Sequence, residues 1–311
     1  MSKPKAPQNR TLVLSEGDRE RLRTHLLSPQ LWERGGEPPM GTLQGDCLQV
    51  ASTLPSACID LLFLDPPYNL NKEFNGRKFS KCGVDEYTDW LDQVISTLKP
   101  LLKPTASIYI CGDWLSSTSI FAVAQSHFIV RNRITWEREK GRGAKANWKN
   151  ASEDIWFCTV SSQYTFNVEA VKLRRKVLAP YRTTEGTPKD WQSTEAGNFR
   201  DTHPSNLWTD ITIPFWSMPE NIDHPTQKSE KLLAKIVLAS SNPGDLILDP
   251  FLGSGTTSVV AKKLGRRYLG IELDEDYCLL AERRLELAEA CPTIQGFADG
   301  VFWERNTKGG G

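Results

Sequence analysis

Two short stretches of this 311-residue chain carry residue types that can do chemistry. The first is Asp65-Pro66-Pro67-Tyr68-Asn69, which follows the apolar run at 59–64. Such a run predicts a strand, and open α/β sheets bind ligands beyond the carboxyl ends of their strands. Two successive prolines stiffen the turn and contribute no N–H, so it displays carbonyls. Asp65 and the Pro66 carbonyl are then placed to accept both hydrogens of one exocyclic amino group. Tyr68 offers a flat face on which a base can stack.

The second stretch is DPFLGSGTT at 249–257. The run LILD at 246–249 predicts a strand, Gly253-Ser254-Gly255 a tight turn, and a helix follows from about Thr256 to Leu264. Glycines let the backbone approach a ligand, and a helix start supplies free N–H groups and a positive dipole end. Seventeen residues past Gly255, the next predicted strand ends in Glu272, where a carboxylate can hold two ribose hydroxyls. One glycine pair in place of GxGxxG makes little room for a pyrophosphate, and no Lys is present for a nucleotide phosphate. A cofactor with an adenosine end and a small zwitterionic tail fits better.

Together, DPPYN and FLGSG resemble the motifs of amino-group DNA methyltransferases that use S-adenosylmethionine. The catalytic motif precedes the cofactor motif with a variable segment between, an order similar to the permuted β-class. GDCLQVASTLP at 45–55, HPSNLW at 203–208 and HPTQKS at 224–229 resemble further landmarks of that family, so the likeness covers about 41–290. Ser229 departs from the family, which usually has Pro there. The segment KGRGAKANWKN at 140–150 matches no named specificity.

The resemblance implies a catalytic loop of Asp65, Pro66, Pro67 and Tyr68. It implies that Phe251, Gly253 and Gly255 wall the methionine and adenosine parts of the cofactor. Glu272 would hold the ribose, Asp46 the adenine edge, and Thr226, Lys228 and Ser229 the carboxylate end. Cys47, Asp249, Ser254, Thr256 and Leu273 complete the expected cofactor set, with Asp65 shared. No metal site is expected. The implied reaction is direct transfer to adenine N6 in a short duplex sequence within a restriction-modification system, with cytosine N4 as the alternative. Asp first and Tyr fourth in the loop are commoner among the family's adenine enzymes. The partners implied are double-stranded DNA, a second copy of the chain and a cognate endonuclease. A nicotinamide oxidoreductase, an RNA or protein methyltransferase and a non-catalytic DNA-binding module stay open as other classes.

The elements that must position these residues alternate strand and helix. Strands are predicted at 59–64, 107–111, 129–136, 154–160, 246–249 and 268–272, and helices at 87–98, 118–126, 256–264 and 274–290. Buried strands alternating with helices predict a Rossmann-like α/β fold with a mostly parallel, doubly wound sheet. The expected divisions are a polar extension (1–40), a catalytic half (41–160), a basic, loop-rich target-recognition insertion (161–223), a cofactor half (224–290) and a tail (291–311). In the extension, Ser15 and Asp18 predict a capped short helix through Arg19–Leu27 on a loosely attached arm.

The 38 basic and 38 acidic residues cancel, which excludes a uniformly basic coat but not a local patch. The window 131–182 holds 12 Lys or Arg against 5 Asp or Glu. Arg138, Lys140, Arg142, Lys145 and Lys149, then Lys172, Arg174, Arg175 and Lys176, are the expected phosphate contacts, which give affinity without sequence choice. Trp148, Trp191, Trp208 and Trp216 are expected in the core. Seven scattered cysteines without a CxxC pair fit a reducing cytoplasm, and the resemblance implies that it is bacterial or archaeal. No run of about 18 apolar residues is present, so no membrane helix is expected, and the first ten residues lack an apolar signal core.

Overall fold

The computed structural model describes residues 9–28, 37–74, 77–79, 81–138, 146–177, 181–194, 197–222 and 226–305. In chain order the elements begin with α1 (Glu16–Arg23), β1 (Gly41–Gln44), α2 (Cys47–Ala51) and β2 (Ile59–Leu64). A small hairpin follows, β3 (Lys72–Phe74) and β4 (Arg77–Phe79). Then come α3 (Val84–Leu98), β5 (Leu102–Gly112), α4 (Ser117–His127), β6 (Ile129–Glu137) and β7 (Ser152–Thr159). Next are β8 (Leu173–Lys176), β9 (Gln192–Thr194), β10 (Gly197–Thr202) and β11 (Leu207–Trp208). The last third holds α5 (Glu230–Ser240), β12 (Leu246–Asp249), α6 (Thr256–Lys263), β13 (Arg267–Glu272), α7 (Glu275–Ala290), β14 (Phe297–Ala298) and β15 (Val301–Trp303).

Among the described residues the main sheet has eight strands in the order β1-β13-β12-β2-β5-β7-β6-β11. Every neighbouring pair is parallel except the two made by β7. The alternation along β2 shows why both faces are covered. Leu61 and Phe63 point into a core shared with α5, α6 and α7, while Leu62 and Leu64 point into one shared with α2, α3 and α4. From β12 the chain passes through α6 to β13 on one side. From β2 it passes through α3 to β5 on the other. The boundary between β12 and β2 is therefore the topological switch point, where such sheets open a crevice.

A second sheet, β14-β15-β8-β10-β9, stands apart. It gathers strands of the expected loop-rich insertion and of the expected tail, since Phe302 pairs with Leu173 and Trp303 with Arg174. Residues 297–303 are thus an integral part of this sheet, not a tail. The N-terminal segment is also attached more firmly than a loose arm. Ser15 and Asp18 form a capping box on α1, and Arg19, Arg21 and Arg23 pair with Asp276, Glu286 and Glu275 of α7. Upstream, Arg10 and Leu12 donate backbone hydrogen bonds to Trp216 and Asn221. Trp191 and Trp208 are buried as expected, but Trp148 and Trp216 are exposed.

Candidate active site

The strand order sets four acids in a row. Asp46 follows β1, Glu272 ends β13, Asp249 ends β12 and Asp65 follows β2, and these four strands are consecutive neighbours running the same way. At ~4.8 Å per strand the row spans about 14 Å. All four acids line one cavity of about 260 Å³, together with Cys47, Trp90, Phe251, Leu273 and Tyr277. A row of carboxylates beside aromatic walls suits a ligand carrying hydroxyl and amine donors and a flat ring.

The backbone fixes this edge. Glu272 accepts Gly253 N at 2.8 Å on one oxygen and Asp274 N at 2.9 Å on the other. Each oxygen keeps a second lone pair for a ribose hydroxyl. Burial raises its pKa, and the backbone donors oppose that rise. Asp249 is buried, and burial pushes its pKa up to about 7 even though Thr257 Oγ1 donates to it at 2.6 Å. Its other oxygen accepts Phe251 N at 3.1 Å, so Asp249 braces the glycine loop. Gly255 has φ +78° at the start of α6, and a Cβ there would sit 2.5 Å from Ala281 Cβ. Arg284, on α7, donates to Ser254 O at 2.7 Å and Thr256 Oγ1 at 2.9 Å and pairs with Glu230, tying the loop to α5.

At the other end, the loop after β2 is held by Tyr87 Oη, which donates to Pro67 O at 3.2 Å. The Asn69 side chain bonds Cys82 N and O. Lys228 Nζ lies 2.6 Å from Asp65 Oδ2, and Tyr68 Oη donates to Asp65 Oδ1 at 3.1 Å. Glu153, from β7, completes the cluster. Its Oε2 lies 3.3 Å from Tyr68 Oη and 3.5 Å from Lys228 Nζ, and it pairs with Arg138. Burial, and then the Asp65 charge, drive the Tyr68 hydroxyl well above its ordinary pKa, so it stays a donor. Burial raises the Cys47 thiol to about 12 and holds Cys111 well above the ordinary thiol range, so neither is a thiolate nucleophile.

The cavity wall includes Asp46, Cys47, Asp65, Pro66, Pro67, Tyr68, Thr226, Lys228, Asp249, Phe251, Gly253, Ser254, Thr256, Glu272 and Leu273 from the sequence-derived set. Two members are elsewhere. Ser229 is buried, and its hydroxyl caps α5 by accepting Leu232 N. Gly255 backs the loop against α7 instead of facing the ligand space. Sequence reasoning missed Trp90, Tyr277, Glu153 and Arg284.

The expected phosphate contacts fare differently. Arg138 turns inward onto Glu153 and so is not a surface cation. Arg174 holds Asp201 at 2.7 Å, Lys172 holds Glu169 at 2.6 Å and Arg175 lies 3.7 Å from Glu304. Lys176 and Lys149 are exposed, whereas Lys140, Arg142 and Lys145 lie outside the described residues, as do 224 and 225 of the HPTQK string.

Comparison with known proteins agrees with this geometry. A family described as DNA methylase, of the N6/N4 type, matches residues 59–283. The chain is 35% identical over 262 residues to the DNA adenine methyltransferase YhdJ of Escherichia coli (strain K12), covering 82% of this chain and 85% of that one. It is 32% identical to the type II methyltransferase M.HinfI of Haemophilus influenzae, covering 78% of this chain and 67% of the other. Among solved structures, the cytosine-N4-specific PvuII DNA methyltransferase superposes with a TM-score of 0.59 at 18% identity, over 80% of this chain and 89% of that one.

Proposed function

This chain belongs to the N6/N4 DNA methylase family and is a DNA methyltransferase using S-adenosylmethionine, and we propose that its target is the N6 amino group of adenine in a short duplex sequence. The observation that carries this reading is the row of acids ending at Asp65. Glu272 and Asp46 suit a ribose and an adenine edge, with Trp90, Phe251 and Tyr277 as ring walls. Lys228 stands beside Asp65, where the reacting end must lie, and Thr226 lines the same cavity. S-adenosylmethionine supplies an electrophilic methyl group on a sulfonium.

The residues then have separate tasks. An exocyclic amine is a poor nucleophile because its lone pair is conjugated into the ring. Accepting its two hydrogens on Asp65 and the Pro66 carbonyl would draw the nitrogen toward a pyramidal geometry, which takes the lone pair out of conjugation and aims it at the methyl group, positioning that contributes several kcal/mol; one of those hydrogens then leaves as a proton from the methylated amine. The target atom is buried in a duplex, so the base must be flipped out and held, with Tyr68 as its stacking platform. Adenine is favoured over cytosine by Asp in the first position of the loop and by the similarity to a named adenine enzyme. Lys149, Lys172, Arg174, Arg175 and Lys176 are proposed DNA contacts.

The similarity to type II methyltransferases supports a restriction-modification role with a cognate endonuclease. A homodimer working in a bacterial or archaeal cytoplasm is part of the same proposal. Among the described residues no helix is long and apolar enough to cross a membrane. Methylome sequencing of a methylation-free host expressing this gene tests the reading. N6-methyladenine in one short motif is expected, and an unmodified genome would overturn it.

A further inference from the structure

Asp65 has two neighbours competing for the oxygens its proposed role requires. Lys228 Nζ occupies Oδ2 at 2.6 Å, and the Tyr68 hydroxyl occupies Oδ1 at 3.1 Å. A carboxylate held this closely by an ammonium is a weakened acceptor for a neutral amino group. The same two donors have a second acceptor within reach. Glu153 Oε2 is 3.3 Å from Tyr68 Oη and 3.5 Å from Lys228 Nζ. Glu153 is nearly inaccessible on β7, and Arg138 holds it in place. Arg138 is in turn laid over the Trp136 ring at 5.3 Å.

We infer that Glu153 is a positioning residue for the transfer step: it takes over Lys228 and Tyr68 when the target amino group claims Asp65. The inference rests on the methyl-transfer reading above. Asp65 and Glu153 carry two negative charges and Lys228 and Arg138 two positive ones, so the cluster is balanced. Shifting Lys228 toward Glu153 leaves the net charge of the buried cluster at zero, and the Asp65 carboxylate it releases is met by the amino group's hydrogens, so no carboxylate is left without a donor. Without the Glu153 charge, Asp65 is the carboxylate left to Lys228 in this cluster, and the amino group meets it as a weakened acceptor. No proton or covalent bond changes hands in this exchange.

The test is Glu153→Gln, which keeps shape and removes charge. Single-turnover transfer to DNA is expected to slow by about ten- to a hundredfold, the scale of one charge-assisted hydrogen bond. The KM for cofactor should stay within about threefold, since one hydrogen bond's worth of loss is reserved for the transfer step. A second readout is 2-aminopurine at the target position of the recognition sequence, whose fluorescence rise on flipping should match wild type. Glu153→Asp, which keeps the charge, should recover part of the rate. If Glu153→Gln does not fold, the R138Q/E153Q double variant removes one charge of each sign and should show the same slow transfer with normal flipping. Wild-type turnover in the folded variant overturns the inference, as does a rate loss matched by equal losses in cofactor binding and flipping. A wild-type protein that transfers no methyl to DNA would instead sink the reading beneath it.

Discussion

The cofactor edge of the main sheet and the basic stretch that reaches the second sheet use charge in opposite ways. On the first, Glu272 is fixed by Gly253 N and Asp274 N, and Asp249 by Phe251 N and Thr257, so acids are aimed by backbone next to them in the fold. On the second, Arg174, Lys172 and Arg175 are engaged with Asp201, Glu169 and Glu304. Among the described residues, these three cations of the sequence window are therefore paired with acids rather than left as a surplus. Ligand-facing charge at a strand end is set locally, whereas phosphate-facing charge is what remains after tertiary pairing.

The largest expected effect is at the end of the acid row. Asp65→Ala should lower turnover by at least about a hundredfold, while cofactor binding weakens but stays measurable. Retention of more than about a tenth of wild-type turnover would remove Asp65 from the chemistry. Glu272→Gln should act on the other quantity, raising the cofactor Kd by roughly tenfold and leaving turnover at saturating cofactor near wild type. Isothermal titration with S-adenosylmethionine separates the two; equal loss in both would erase the division of labour along the row.

A third experiment addresses the paired cations. Asp201→Asn should release Arg174, tightening binding to all DNA sequences alike and steepening the salt dependence by up to about one phosphate contact. Charge reversal of Arg174 and Arg175 should flatten the slope by about one unit per lost contact. An unchanged slope in both would show that this face points away from DNA.

A last effect concerns pH. Asp249 in the folded protein has a pKa of about 7, above the ordinary carboxylate range. A raised carboxyl pKa means the folded state keeps a proton that the unfolded state loses. Its contribution is fully present below about pH 4 and is lost as pH rises to about 7. Asp249→Asn should flatten that segment of the stability profile, by on the order of 2 kcal/mol in denaturant titrations at pH 5 and 8. A profile parallel to wild type would place the raised pKa elsewhere.

Asp65, Asp249 and Glu272 were legible because each is set by a few residues of local sequence, whereas Asp46, after the short β1, was expected only from the family resemblance. An apolar run ending in Asp or Glu, then a turn, needs no distant partner to be read. The helix α5 is harder, because Glu230, Lys231 and Lys235 look like a solvent face yet are buried. Lys231 and Lys235 share Asp210, and burial pulls Lys235 down to about 8 despite that partner. Glu153 hides within an apolar strand for the same reason, since its partners Arg138, Tyr68 and Lys228 come from other parts of the chain. The second sheet joins residues as far apart as Leu173 and Phe302, so neither strand carries a signal for the other. Trp90 and Tyr277 sit among ordinary apolar positions of two helices, and only the fold turns them toward the cavity.

The most direct measurement is transfer of a ¹³C-labelled methyl group from S-adenosylmethionine to DNA, with the digested nucleosides identified by mass. Wild-type protein should place the label on N6-methyldeoxyadenosine, and Asp65→Ala should place almost none. Label found only on N4-methyldeoxycytidine would contradict the choice of base. Equal labelling by both proteins would contradict the role given to the acid row itself.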